Sequence, residues 1–257
     1  MADMTSLNEG YRALVIGASG GIGAAIVTDL LGDPRCGSVI SLSRRDDAGF
    51  DLTDEASVEA AAARLKEAHG EFELIFDATG ALEIDGKGPE KTIRAIDPVA
   101  MAAQFAVNAI GPALLVKHFC PLLSKGRRSV FVTLSARVGS IGDNRLGGWI
   151  SYRAAKAALN QIVRTAAIEL ARTHPQAILV GLHPGTVDTP LSAPFQRNLS
   201  EGQLLDADDS AVRLLGEGEF VAPVAVSREY FCRPHRVASC GSRLSPPWRW
   251  QPRYRGR

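Results

Sequence analysis

Cysteine, histidine clusters and charge of one sign are all scarce in this sequence, and each shortage excludes a class of function. The cysteines, Cys36, Cys120, Cys232 and Cys240, form no C-x-x-C pair, which argues against a disulfide framework or a zinc site and fits a reducing compartment. His69, His118, His174, His183 and His235 show no H-x-x-x-H pairing, so no metal is expected. Lys and Arg (29) nearly cancel Asp and Glu (28), so overall charge gives no reason to expect nucleic acid or an anionic membrane as partner. The first ten residues lack the basic start and apolar stretch of a secretory signal, and no apolar run reads as approaching membrane-spanning length. The expectation is a cytoplasmic protein with a small-molecule partner, no nucleic acid and no membrane.

What is present is a chain of 257 residues, 46% hydrophobic, enough to bury the core of one α/β domain. Short apolar runs, Tyr11 to Ile16, Ser38 to Ser43, Leu74 to Ala78, Ser129 to Leu134 and Ala177 to Leu182, read as buried strands. Between them lie helical patterns over Ile22 to Leu31, Asp54 to Ala68, Met101 to Leu123 (interrupted at Gly111-Pro112) and Ser151 to Arg172. The alternation implies a doubly wound parallel sheet covered on both faces, with ligands at the carboxyl ends of the strands.

The run Gly17-Ala18-Ser19-Gly20-Gly21-Ile22-Gly23 follows the first strand and opens the first helix. Glycines there let the backbone approach a pyrophosphate, while the helix N-terminus offers free N–H groups and positive potential. The bland alternative is a tight turn needed only for packing. After the second strand, Arg44 stands where an NAD-preferring fold would place an acid on the ribose, and a guanidinium there suits a 2′-phosphate. NADP(H) is therefore preferred over NAD(H), unless Asp46 and Asp47 neutralise a merely solvated loop. Asp51, beside Leu52, suits an adenine contact and equally a helix cap. Asp77-Ala78-Thr79-Gly80 is expected to end the fourth strand and to lie against the cofactor.

Tyr152 and Lys156, spaced i, i+4, project from one helix face. A free tyrosine is a poor proton shuttle at neutral pH, and a neighbouring ammonium lowers the cost of its phenolate. Alone, the pair could be an ordinary surface contact. The glycine turn, Ser135 at a strand end and His183-Pro184-Gly185 at the last strand strengthen it.

Together these residues resemble the short-chain dehydrogenase/reductase family, over about Tyr11 to Gly216. The motifs are Gly17, Gly21 and Gly23, Asn108 in Val107-Asn108-Ala109-Ile110-Gly111, Ser135, Tyr152-x-x-x-Lys156, and Pro184-Gly185-Thr186-Val187-Asp188-Thr189. Leu134 to Gly139 and Asp143 to Trp149 look most like the C-factor-type branch, near the sniffer and carbonyl reductase group. The resemblance implies a single Rossmann domain over 1–216 that interconverts a carbonyl and an alcohol. It implies Tyr152 as acid/base, Lys156 as its tuner and ribose ligand, Ser135 as carbonyl orienter, and Asn108 as holder of a relay water. Cofactor contacts are implied at Gly17, Ser19, Gly20, Gly21, Ile22, Gly23, Arg44, Asp51, Leu52, Ala78, Gly80, Asn108, Tyr152, Lys156, Pro184, Gly185, Val187 and Thr189. A homodimer or homotetramer is implied too. The competing reading is a C-factor-like signalling protein that binds nucleotide with little turnover.

The chain departs from the family's usual Asn-Asn-Ala-Gly at Asp77-Ala78-Thr79-Gly80. Aligning on Gly139 would put Ala136 at the catalytic serine position, which leaves Ser140 as a weaker candidate than Ser135. The resemblance stops near Gly216. Residues 217–257 carry eight arginines, no lysine, Pro246-Pro247, Trp248 and Trp250, a composition that reads as a tail with little order beyond Phe220 to Val226.

Overall fold

The apolar runs form five parallel strands in this computed structural model, which describes residues 4–193, 196 and 202–216. They are β1 (Tyr11–Ile16), β2 (Cys36–Leu42), β3 (Leu74–Asp77), β4 (Ser129–Leu134) and β5 (Ala177–Leu182), hydrogen-bonded in the order β2-β1-β3-β4-β5. β3 and β4 are buried at every position, as central strands covered on both faces must be. One face packs Ala13, Val15, Val132 and Val180 against α1 (Gly21–Gly32) and α6 (Ala207–Gly216) through Ile26, Leu30 and Leu214. The other face packs Leu14, Ile75, Phe131 and Leu179 against α2 (Glu55–His69), α4 (Gly111–Phe119) and α5 (Ile150–Leu170) through Val58, Phe119 and Leu159. This is the expected doubly wound sheet.

Strand order reverses at β1, which has β2 on one side and β3 on the other. The connections there leave in opposite directions and open a crevice at the carboxyl ends. Residues 17–23 and 77–80 flank that crevice.

Three expectations need correction. The helix expected from Met101 starts at Pro98 as α3 (Pro98–Phe105), capped by Asp97, whose carboxylate accepts from the Val99 N–H at 3.0 Å. It passes through a π turn (Ala106–Ile110) into α4 and ends in a single 3-10 turn (Cys120–Leu122). The irregularity thus falls just before Gly111-Pro112: Pro112 has no N–H to continue the ladder, and the Gly111 N–H reaches back five residues to Ala106. This 25-residue path, Pro98–Leu122, has a mean hydropathy of 1.7 over its most apolar window. By length and composition it could cross a membrane, contrary to the sequence reading, yet Leu115, Phe119 and Leu122 sit in the core beside α2 and α5. Lastly, Asp77-Ala78-Thr79-Gly80 follows the third strand of the sheet, where the family pattern counts a fourth.

No pattern in the sequence marks the small parallel pair of β6 (Thr186–Val187) and β7 (Leu204–Leu205), nor α6. The expectations for 217–257, including the run Phe220 to Val226, lie outside the described residues.

Candidate active site

The glycine run wraps the carboxyl end of β1 because three side chains are missing. Gly17 adopts φ +82°, and a Cβ there would sit 3.0 Å from the Ala78 carbonyl carbon. A Cβ on Gly23 would come within 2.2 Å of the Gly17 carbonyl oxygen, and one on Gly21 within 2.7 Å of the Thr189 methyl carbon. The run therefore seats against both Ala78 and Thr189, joining three of the segments that the sequence assigned to cofactor. α1 opens with Gly20 at its cap position, without a side-chain cap and without an acid in its first turn. Ser19, Gly20 and Gly21 are exposed and Ile22 is half-buried. An uncapped helix start beside an open glycine turn fits the diphosphate of a dinucleotide.

Beyond β2, Arg44 and Arg45 are exposed. The acids that could neutralise them are engaged elsewhere: Asp46 accepts from the Ser43 hydroxyl at 2.7 Å, and Asp47 pairs with Arg64. Among the described residues neither arginine has an ion-pair partner. Asp51 is not the helix cap. Its carboxylate accepts the Thr53 N–H and hydroxyl, each at 2.8 Å, which holds it below the usual carboxylate range, while Asp54 caps α2 through the Ala56 N–H. Leu52 packs against the start of α4, where a Cβ on Gly111 would lie 2.5 Å from its Cγ.

Gly80 brings the catalytic candidates together. A Cβ on it would meet the Asn108 side-chain oxygen at 3.2 Å and the Lys156 amine at 3.5 Å. Asn108, fully buried in the π turn, braces the loop after β3: Nδ2 donates to the Ala81 carbonyl and to Gln104 Oε1, both at 2.8 Å, and Oδ1 accepts from the Ala81 N–H at 3.2 Å. Both amide donors are thus in use.

Tyr152 and Lys156 lie in the first turns of α5, both buried, with the Lys156 Nζ 5.9 Å from the Tyr152 ring centroid. Burial pushes the Tyr152 phenol up to about 12. Burial likewise pulls Lys156 down to about 8, against the attraction of Asp77. Its amine donates to the Leu134 carbonyl at 2.9 Å. At neutral pH the pair is a phenol beside an ammonium, which is the protonation state of a general acid.

Ser135 is at the end of β4, and its hydroxyl donates to Asn160 on α5. The next residue, Ala136, has no hydroxyl to offer. His183, at the end of β5, is pulled down to about 4 by burial and then by Arg137, and its Nδ1 is buried with no hydrogen-bond partner. Gly185 takes φ +83°, Pro184 accepts the Ser210 hydroxyl, and Val187 pairs with Leu205, which fixes the segment carrying Thr189.

Sequence reasoning missed Gln104, Thr133, Glu90 and Asn160. Asn160 shares the Lys156 helix face at i, i+4 and was findable by spacing. Glu90 sits in an irregular loop and carried no signal.

Similarity to known proteins points the same way. A family described as short chain dehydrogenase matches residues 11–200. The chain is 34% identical over 193 residues to the 1-hydroxy-2-glutathionyl-2-methyl-3-butene dehydrogenase of Rhodococcus sp. (strain AD45), spanning 71% of this chain and 80% of that one. It is 36% identical over 100 residues to C-signal of Myxococcus xanthus, 38% of this chain and 58% of that protein. The NADPH-bound carbonyl reductase from chicken fatty liver overlays with a TM-score of 0.69 at 25% identity, covering 83% of this chain and 89% of that one.

Proposed function

This chain belongs to the short-chain dehydrogenase family, and from that premise we propose that it interconverts a small carbonyl compound and its alcohol with NADP(H), using Tyr152 as the proton donor and acceptor. The observation that carries the reading is the convergence of Gly80, Asn108 and Lys156, with Tyr152 one helical turn away, at the crevice mouth. When bound, the nicotinamide supplies or accepts the hydride.

The protein's own groups do the rest. Gly17, Ser19, Gly20, Gly21, Ile22 and Gly23 hold the diphosphate against the start of α1. Arg44, exposed and with no ion pair among the described residues beyond the longer-range attraction of Asp51, takes the 2′-phosphate. Asp51 and Leu52 line the adenine side; Ala78, Gly80 and Lys156 line the ribose side; Pro184, Gly185, Val187 and Thr189 line the carboxamide side. Tyr152 gives its proton to the substrate oxygen during reduction. In the oxidative direction Lys156 stabilises the phenolate that accepts it. Ser135 supplies the second hydrogen bond to that oxygen by turning from Asn160. With both Asn108 amide donors committed to Ala81 and Gln104, any proton relay at Asn108 uses one of its oxygens as acceptor.

A homodimer or homotetramer is part of the same reading, supported by the groove between α4 and α5, where Val116, Ile162 and Ala166 line the same cavity as Lys117, Lys125 and Glu169. The similarity to C-signal favours a second reading, a signalling protein that binds nucleotide with little turnover.

Fluorescence titration of the purified protein with NADPH and NADH tests the cofactor assignment. NADPH binding more tightly, with the preference lost in Arg44→Ala, supports it. Equal binding of both nucleotides, or of neither, contradicts it.

A further inference from the structure

β3 ends on a carboxylate with no access to solvent. Asp77 is 0% exposed, and in sequence it occupies the first position of the family's Asn-Asn-Ala-Gly when the two are aligned on Gly80. Three donors point at it: the Thr79 N–H at 2.9 Å, the Thr79 hydroxyl at 2.5 Å and the Thr133 hydroxyl at 2.6 Å. Three donors on two oxygens are the surroundings of an ionised carboxylate, which only accepts. Burial outweighs these donors and pushes the Asp77 carboxyl above the usual carboxylate range, so its charge persists only with a partner.

The buried cation that acts on it is Lys156, without a direct ion-pair contact between the two. It is 3% exposed, and its attraction favours the ionised carboxylate, just as Asp77 favours the ammonium. Consecutive residues at the end of β4 hold the two charges: Thr133 donates its hydroxyl to Asp77, and Leu134 accepts from the Lys156 amine. Other groups around the ammonium bring no competing charge. Tyr152 is a phenol at neutral pH, Asn108 is uncharged, and His183 at the end of β5 is neutral, with Arg137 beyond it.

We propose that Asp77, ionised, is the buried counter-ion of Lys156 and acts as a positioning residue that maintains the ammonium beside Tyr152. An asparagine at this site would bridge β3 and β4 equally well by hydrogen bonds, but it would leave Lys156 without a countercharge. The functional consequence rests on the catalytic reading of Tyr152 and Lys156; the ion coupling itself does not.

The test is an NMR titration of the Lys156 side chain in the cofactor-free protein, for the parent chain and Asp77→Asn. The substitution preserves shape and removes charge. The Lys156 titration in Asp77→Asn is expected about one pH unit or more lower, the size of effect for a lost nearby countercharge. In NADPH-dependent turnover the basic limb of the kcat/KM profile moves down with it, and activity is retained at pH 6. An unchanged Lys156 titration in folded Asp77→Asn overturns the proposal. If that variant does not fold, the Asp77 carboxyl resonance of the parent chain decides: ionised at pH 7 supports the proposal, and protonated overturns it. Should Tyr152→Phe leave turnover intact, the catalytic reading fails while the titration still reports on the coupling of the two charges.

Discussion

Ser135 donates its hydroxyl to the Oδ1 of Asn160 at 2.6 Å, tying the end of β4 to the middle of α5. Asn160 also donates to the Gly139 carbonyl at 3.5 Å, so one amide braces the start of the β4–α5 loop. Two roles compete for this hydroxyl. If Ser135 turns to the substrate oxygen, Ser135→Ala lowers kcat/KM on the order of 100-fold, as loss of a donor to a developing oxyanion does. Ser140→Ala then has little effect. The opposite pattern, with Ser135→Ala costing about 1 kcal/mol of stability and no activity, would confine Ser135 to the brace. Steady-state kinetics with parallel melting curves separates the two.

Glu90 clamps the start of the helix that carries Tyr152. Its carbonyl accepts the Trp149 N–H at 2.6 Å, and its carboxylate accepts both the N–H (at 3.0 Å) and the hydroxyl of Ser151. Trp149 takes φ +54°, a left-handed conformation that costs about 1–2 kcal/mol and persists because the clamp holds it. Glu90→Ala is expected to lose about 1–2 kcal/mol of stability and to lower kcat more than it raises KM, with Glu90→Gln restoring most of both. A Glu90→Ala variant that melts earlier yet keeps its kcat would make the clamp purely structural.

His183 links stability to pH. Its folded-state value is about 4 against an ordinary 6.5, so between those values the unfolded chain binds a proton that the folded chain does not. Stability therefore falls as pH drops through this window, by at most about 3 kcal/mol from this residue, and is unaffected by it above pH 7. Urea unfolding of the parent chain and His183→Asn from pH 4 to 8 isolates the contribution. The gap between the two curves should change below pH 6.5; parallel curves over the whole range would contradict the assignment.

Much of this architecture is written in local pattern. Runs such as Ser129 to Leu134 and Ala177 to Leu182 carry apolar residues on both faces of the strand, as burial on both faces requires, and their bounds are those of β4 and β5. The glycine turn was legible because strand, turn and helix adjoin in sequence. What escaped depends on distant partners. Nothing near Asp77 reveals that Thr133, 56 residues on, donates to it, and nothing near Glu90 reveals that Ser151, 61 residues on, needs an acceptor. The π turn at Ala106–Ile110 depends on where the ladder absorbs Pro112, and helical periodicity cannot resolve a shift of one residue. Ser135 shows the remaining gap: its place at a strand end was readable, but the direction of its hydroxyl is set by Asn160.

The most direct measurement of the central claim is NADPH consumption by the parent chain and by Tyr152→Phe over a panel of small carbonyl compounds. The account predicts turnover by the parent chain that falls on the order of 1,000-fold in Tyr152→Phe, within the range for loss of a positioned general acid, while NADPH binding persists. Undiminished turnover in Tyr152→Phe would contradict it. So would NADPH binding without turnover of any compound by the parent chain, the outcome that favours the signalling reading.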